Sequence, residues 1–289
     1  MREQQLGCRP VVIIGAGRSG TNILRDVLTS LDGFGSWPCD EINYIWRHGN
    51  VFFPSDELSA DLATDRIRRY IRSSFQEIAR RYALDSVVEK TCANSLRVPF
   101  VEAILPEAKY IYIVRDVRDV VASAAQRWTA PLDISYILRK ARWVPRTDLP
   151  IYALRYGVNR LKKLLNDERR LSFWGPRFDG IDAALQTRSL PEVCALQWKR
   201  CVDAADSAFS TLDPSRVLHI SYEGFASDPD RELGRILTFL GVDSPANTGG
   251  LAMMVSPSSI GKFRKSLDPA TVSSIELLAG DTMRRHGYI

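Results

Sequence analysis

Residues 10–31, PVVIIGAGRSGTNILRDVLTSL, constrain the fold more than any other stretch of the chain. Val11, Val12, Ile13 and Ile14 form an uninterrupted β-branched run, the pattern of a strand covered on both faces of a parallel sheet. Ile23, Leu24, Val27, Leu28 and Leu31 then recur at helical spacing. Between strand and helix stands Gly15-Ala16-Gly17-Arg18-Ser19-Gly20-Thr21-Asn22. Glycines let a backbone approach a ligand closely, and the N–H groups and positive dipole end of the following helix attract a phosphate or sulfate. The expectation is an oxyanion cradle; the plainer alternative is a tight turn that binds nothing.

The spacing of Gly15, Gly20 and Thr21 approaches that of a nucleoside-triphosphate P-loop, but Thr21 stands where the lysine belongs. Arg18 brings a cation into the turn by another route, so an ordinary ATPase or GTPase is disfavoured. The 289 residues, 45% hydrophobic and 25% charged, supply ample core. At roughly 150 residues per domain two domains are allowed, yet α/β folds often keep such a length in one, and a single domain over residues 1–289 is expected. The five cysteines lack metal-type spacing and leave one over in any disulfide scheme, which favours a reducing cytoplasm and no metal. No apolar run approaches the ~20 residues of a membrane span, and the first residues are too polar for a secretory signal. A net charge of +5 favours an anionic ligand.

Residues 32–54 are irregular and rich in Gly, Pro and aromatic side chains, and are expected near the carboxyl edge of the sheet, where open α/β sheets bind ligands. Asp40, Glu41 and His48 lie within them. One of these can act as a general base; alternatively Asp40 caps a short helix from Glu41 and His48 is a surface side chain. Residues 65–82 read as an amphipathic helix whose arginines form a solvated face, with no nucleic-acid recognition motif beside them. A strand at 86–89 delivers Lys90, Thr91 and Asn94 to its end, and a helix at 96–105 leads to the next strand at 109–114. Lys90 either neutralises charge on a transferred group or is a surface cation. Arg115 ends that strand, Asp116 and Asp119 resemble a helix cap, and Ser123 and Arg127 share one face of the helix from Val117. Arg115, Ser123 and Arg127 can together hold a second tetrahedral anion.

Taken together, the two motifs resemble those of the sulfotransferases that use 3′-phosphoadenosine 5′-phosphosulfate (PAPS). The 5′-phosphosulfate loop of that family, (K/R)-(S/T)-G-T, is matched by Arg18-Ser19-Gly20-Thr21, with Asn22 following. Its strand-end arginine and the serine eight residues on are matched by Arg115 and Ser123, and an additional 3′-phosphate arginine by Arg127. The arginine form of the loop and the acids beside Cys39 look more like the tyrosylprotein and carbohydrate branch than the cytosolic small-molecule branch. By that resemblance Glu41 is the base and Lys90 assists the leaving group. Asp40 replaces the glycine beside that base, and Thr91-Cys92 replaces Asp-Pro after the lysine.

The resemblance implies a P-loop-like three-layer α/β fold with a central, mainly parallel sheet flanked by helices. Residues 129–190 interrupt the alternation and are read as a mostly helical insertion, either an acceptor-side lid or a cover for the sheet edge. Within them a helix is expected around 154–165, and 173–182 form a loop able to reach the site. A helix at 191–209 and a strand at 217–222 follow. The resemblance assigns Tyr222 to the nucleotide, and Ser259, Gly261 and Lys262 to a closing loop over PAPS; a solvated basic loop is the alternative. The reading is sulfuryl transfer from PAPS to a hydroxyl of a glycan, tyrosine or small molecule, without a metal, leaving 3′-phosphoadenosine 5′-phosphate (PAP). His48 is the reserve base. A P-loop-type nucleotide kinase and a non-catalytic nucleotide-binding module are the rival readings, and a homodimer stays open.

Overall fold

The computed structural model describes residues 6–128, 142–150, 152, 154, 174–242, 250 and 252–289. One sheet contains β1 (Arg9–Ile14), β2 (Phe34–Gly35), β3 (Ser86–Lys90), β4 (Lys109–Val114) and β5 (Val217–Ser221). Its order is β2-β3-β1-β4-β5, and every pairing is parallel. Helices α1 (Thr21–Leu28), α2 (Asn43–Trp46), α3 (Asp65–Tyr82), α4 (Val98–Ile104) and α5 (Val117–Trp128) lie between and after the first four strands. Then come α6 (Ile181–Thr187) and α7 (Leu190–Phe209) before β5, and α8 (Tyr222–Ser227), α9 (Pro229–Leu240), α10 (Phe263–Ser266) and α11 (Pro269–Arg285) after it.

Alternate residues of the β1 run serve two cores. Val11 and Ile13 pack with Leu24 and Leu28 of α1 and Ile236 and Leu237 of α9. Val12 and Ile14 join the opposite layer, with Ile71 of α3, Phe100 of α4, Val121 of α5, Trp198 of α7 and Ile275 of α11. That is why the run shows no polar alternation. The chain builds β2 and β3 on one side of β1 and β4 and β5 on the other. Helices α1 and α5 therefore lie on opposite faces, and a crevice opens between the carboxyl ends of β1 and β4, the switch point where such sheets bind ligands.

Several local expectations are corrected. Tyr222 does not end β5: the Ser221 hydroxyl accepts from Gly224 N at 3.0 Å, so α8 begins at Tyr222. The helix expected over 96–105 is α4, two residues shorter at its start and one at its end, with Pro99 in its first turn; a separate 3₁₀ turn, Cys92–Leu96, precedes it. Asp40 caps no helix, because α2 starts only at Asn43 with Ile42 as its cap. His48 is buried, 7% exposed, not a surface residue. Of the insertion at 129–190, the structure describes 142–150, 152, 154 and 174–190; apart from Leu154, the helix expected around 154–165 lies outside the described residues. No described helix is long and apolar enough to cross a membrane, and all five cysteines are free.

Candidate active site

The turn after β1 is held open by its glycines. A Cβ on Gly15 would stand 2.7 Å from the Ile113 carbonyl, and Gly15 N donates to Ser95 Oγ at 3.1 Å. Arg18 and Gly20 both adopt left-handed backbone, at φ 71 and 91, so Arg18 accepts a conformation that costs a non-glycine residue about 1 kcal/mol. α1 then starts at Thr21 with no side-chain cap, which leaves its first N–H groups directed at the turn. Ser19 is fully buried and its hydroxyl has no partner among the described residues.

Arg115, at the end of β4, closes the other wall. Its Nη1 donates to the Arg18 carbonyl at 3.1 Å and its Nη2 to the Ser259 carbonyl at 2.5 Å, while its guanidinium lies 4.2 Å over the Tyr222 ring. Arg115 Nε is buried and has no partner among the described residues. The Tyr222 ring also presses on Gly20, where a Cβ would come within 2.4 Å of it. From the other motif, Arg18 Nε donates to Ser123 Oγ on α5 at 2.9 Å. The turn and the strand end are therefore one hydrogen-bonded unit across the crevice. The side chain of Arg127 lies outside the described residues.

Ser259 and Gly261 reach the same wall through their backbone, with Lys262 standing between Gly261 and Phe263. Asp119, 2% exposed on α5, accepts from Gly261 N at 2.7 Å and Phe263 N at 2.9 Å. Gly261 at φ 70 makes the bend that presents these amides; the Lys262 side chain is exposed. Asp119 therefore clamps a loop and does not act as a helix cap. Asp116 does act as one: its Oδ1 accepts from Arg118 N at 2.9 Å.

On the far side of β1, Lys90 ends β3 in register with Ile13. Its side chain is 1% exposed, and Nζ lies 2.9 Å from Asp40 Oδ1 and 3.2 Å from Glu41 Oε1. Burial alone would lower the lysine pKa, but Glu41 and Asp40 outweigh it and hold the ammonium above its usual range. Glu41 Oε1 also accepts from Cys92 N at 3.3 Å, and Ile42 N donates to Thr91 Oγ1 at 3.3 Å, so β3 fixes the loop that bears the acids. Arg25 of α1 donates to both the carboxylate and the carbonyl of Asp40, at 2.9 and 3.1 Å. The Cys92 thiol, 3.7 Å from Thr21 Oγ1, ties β3's exit to the cradle, and burial raises its pKa. His48 does not join this group: its Nδ1 lies 2.9 Å from Asp148 Oδ2 and its ring stacks on Tyr70.

Behind Lys90, Glu89 is fully buried and accepts from Asn94 Nδ2 at 2.8 Å. Burial raises its pKa from 4.5 to about 6, against hydrogen bonds that lower it. The folded chain thus binds the Glu89 proton more tightly than the unfolded chain does. Its contribution to stability is intact below the unfolded pKa of 4.5, falls as pH rises through about 6, and is then lost by about 2 kcal/mol. Glu89→Gln is expected to raise the urea midpoint at pH 7 and to have little effect near pH 4.5; equal shifts at both pH values would refute this assignment.

Sequence reasoning missed Arg25 and Ser95 and read Asp119 only as part of a cap, whereas Trp174, whose ring lies against Gly17, belongs to the 173–182 loop expected to reach the site. Asp119 carried a signal, since it stands four residues after Arg115 in the first turn of the helix from Val117, but that position also suits a cap.

A wholly parallel sheet with a glycine turn after its central strand and basic side chains on both sides of the switch point defines a P-loop-like α/β protein. The sulfotransferase family description matches residues 10–148 and 174–246, well over half of the chain, and the chain belongs to that family. Among solved structures it is similar to the sulfotransferase domain from the curacin biosynthetic pathway, at 17% identity and TM-score 0.56, covering 95% of this chain and 97% of that one. The sulfotransferase domain of the Synechococcus PCC 7002 olefin synthase gives 16% identity and TM-score 0.53, covering 96% and 98%. Mouse sulfotransferase SULT7A1 complexed with PAP gives 15% identity and TM-score 0.51, covering 96% and 85%. No curated protein matches the sequence.

Proposed function

We propose that the chain moves the sulfuryl group of PAPS to a hydroxyl of an acceptor, by in-line displacement with Glu41 as base. The observation that carries this is the joining of two anion-binding walls through Arg18, whose guanidinium bonds Ser123 and whose carbonyl bonds Arg115. A donor with phosphates at both its 5′ and 3′ ends suits such a pair. The orphaned Ser19 hydroxyl and Arg115 Nε, both buried in the crevice, fit an anionic ligand, since buried polar atoms seldom go unpaired.

When bound, PAPS supplies the electrophilic sulfur and its phosphate leaving group. Ser19, Gly20, Thr21 and Asn22 hold the 5′ end through hydroxyls and helix-start amides. Arg115, Ser123 and Arg127 hold the 3′-phosphate, and Tyr222, Ser259, Gly261 and Lys262 border the nucleotide. Glu41 accepts the acceptor's proton; Lys90 and Arg18 offset the charge that grows on the leaving oxygen. Positioning and fixed charge suffice for such a displacement. Five free thiols suit a reducing, cytoplasmic compartment.

Calorimetry is expected to show PAP binding at least tenfold tighter than ATP with magnesium, because Thr21 replaces the lysine that a triphosphate requires. Preference for ATP would favour the kinase reading instead.

A further inference from the structure

Trp174 lies over the cradle so closely that a Cβ on Gly17 would sit 3.2 Å from its ring. The segment behind it is built to hold that position. Gln197 of α7, 5% exposed, donates through Nε2 to the carbonyls of Trp174 at 3.1 Å and Pro176 at 2.7 Å. Gly175, at φ 79, makes room for that amide, since a Cβ there would stand 2.9 Å from it. The Trp128 ring of α5 meets Trp174 edge-on, with centroids 6.5 Å apart. The same helix α7 is tied to the second wall, where Trp198 Nε1 donates to the Arg115 carbonyl at 3.0 Å. A large apolar ring is thus fixed over a turn that carries the polar groups of Arg18, Ser19 and Thr21.

We propose that Trp174 excludes water from the sulfuryl site and so determines that sulfur is delivered to an acceptor hydroxyl and not to solvent. This rests on the PAPS reading above. Water can use the same machinery: its oxygen bonds to sulfur, and the bond from sulfur to the 5′-phosphate oxygen breaks with its electron pair left on the phosphate. One water proton passes to Glu41, and the second is released as the hydrogensulfate ionises, giving sulfate and PAP. A ring over Gly17 shields that side of the turn from bulk water, so that the approach to the bond beside Glu41 is left to the acceptor hydroxyl.

The test uses the full chain, with Trp174→Ala, Trp174→Phe and Gln197→Ala. It reads sulfate release from PAPS without acceptor, PAP affinity by calorimetry, and amide hydrogen exchange over residues 15–19 with PAP bound. Trp174→Ala is expected to release sulfate at least tenfold faster, with faster exchange at Gly17 and Arg18 and PAP affinity within threefold. Gln197→Ala should move the same way by a smaller factor, and Trp174→Phe should stay near wild type. Unchanged sulfate release in Trp174→Ala, or in Gln197→Ala should the former not fold, overturns the wall while PAP binding stands. Failure of the wild-type chain to bind PAP overturns the donor assignment and this inference with it.

Discussion

Glu41→Gln will lower kcat by about 10²- to 10⁴-fold, the range that loss of a positioned general base produces, and will leave PAP affinity within about threefold. The amide keeps the shape of the carboxylate and can still accept from Lys90 and Cys92 N, which now hold Glu41 Oε1 at 3.2 and 3.3 Å. It cannot take a proton. Glu41 is partly exposed, at 23% of its side chain, so an acceptor hydroxyl has access to it, whereas Lys90 beneath is 1% exposed. Asp40 is engaged differently, between Arg25 and Lys90. Full turnover in Glu41→Gln would assign the proton to another group, with Asp40 the neighbour in reach of Lys90.

Arg115→Met will weaken PAP binding by about 100-fold, as expected when a charge-assisted contact to a buried phosphate is removed, yet change the affinity for adenosine 5′-phosphate by under about fivefold. The second ligand lacks the 3′-phosphate and does not use that guanidinium. The difference between the two ligands isolates the 3′ contact from general loosening, which also threatens because Arg115 bonds the Arg18 and Ser259 carbonyls and covers Tyr222. An equal loss for both ligands would show that Arg115 acts on the fold of the crevice and not on the 3′-phosphate.

The sheet and the two motifs were legible because each is written locally. The β-branched run of β1, the apolar stripe of α3 and the strand ending in Arg115 each carry a periodicity or a short spacing that needs no distant partner. What was illegible depends on contacts across the chain. Asp119 reads as a cap until Gly261 and Phe263, more than 140 residues later, deliver their amides to it. His48 reads as a surface side chain until Asp148 meets it. Arg25 belongs to no motif in the sequence, and only the fold shows that it holds Asp40. Tyr222 was misread by one residue, because the Ser221 hydroxyl competes with the ladder and starts a helix.

Arg18 gives its guanidinium to Ser123 and its carbonyl to Arg115 from a left-handed backbone. In mechanical terms this makes positions 18, 115 and 123 a single linkage, in which a substitution at one is felt at the other two. A lysine at 18 keeps the charge but loses the planar fork and with it the bond to Ser123; a glycine relieves the backbone and abandons the bridge. Neither wall can be altered alone, because a change at 18 loosens the contacts to both Ser123 and Arg115.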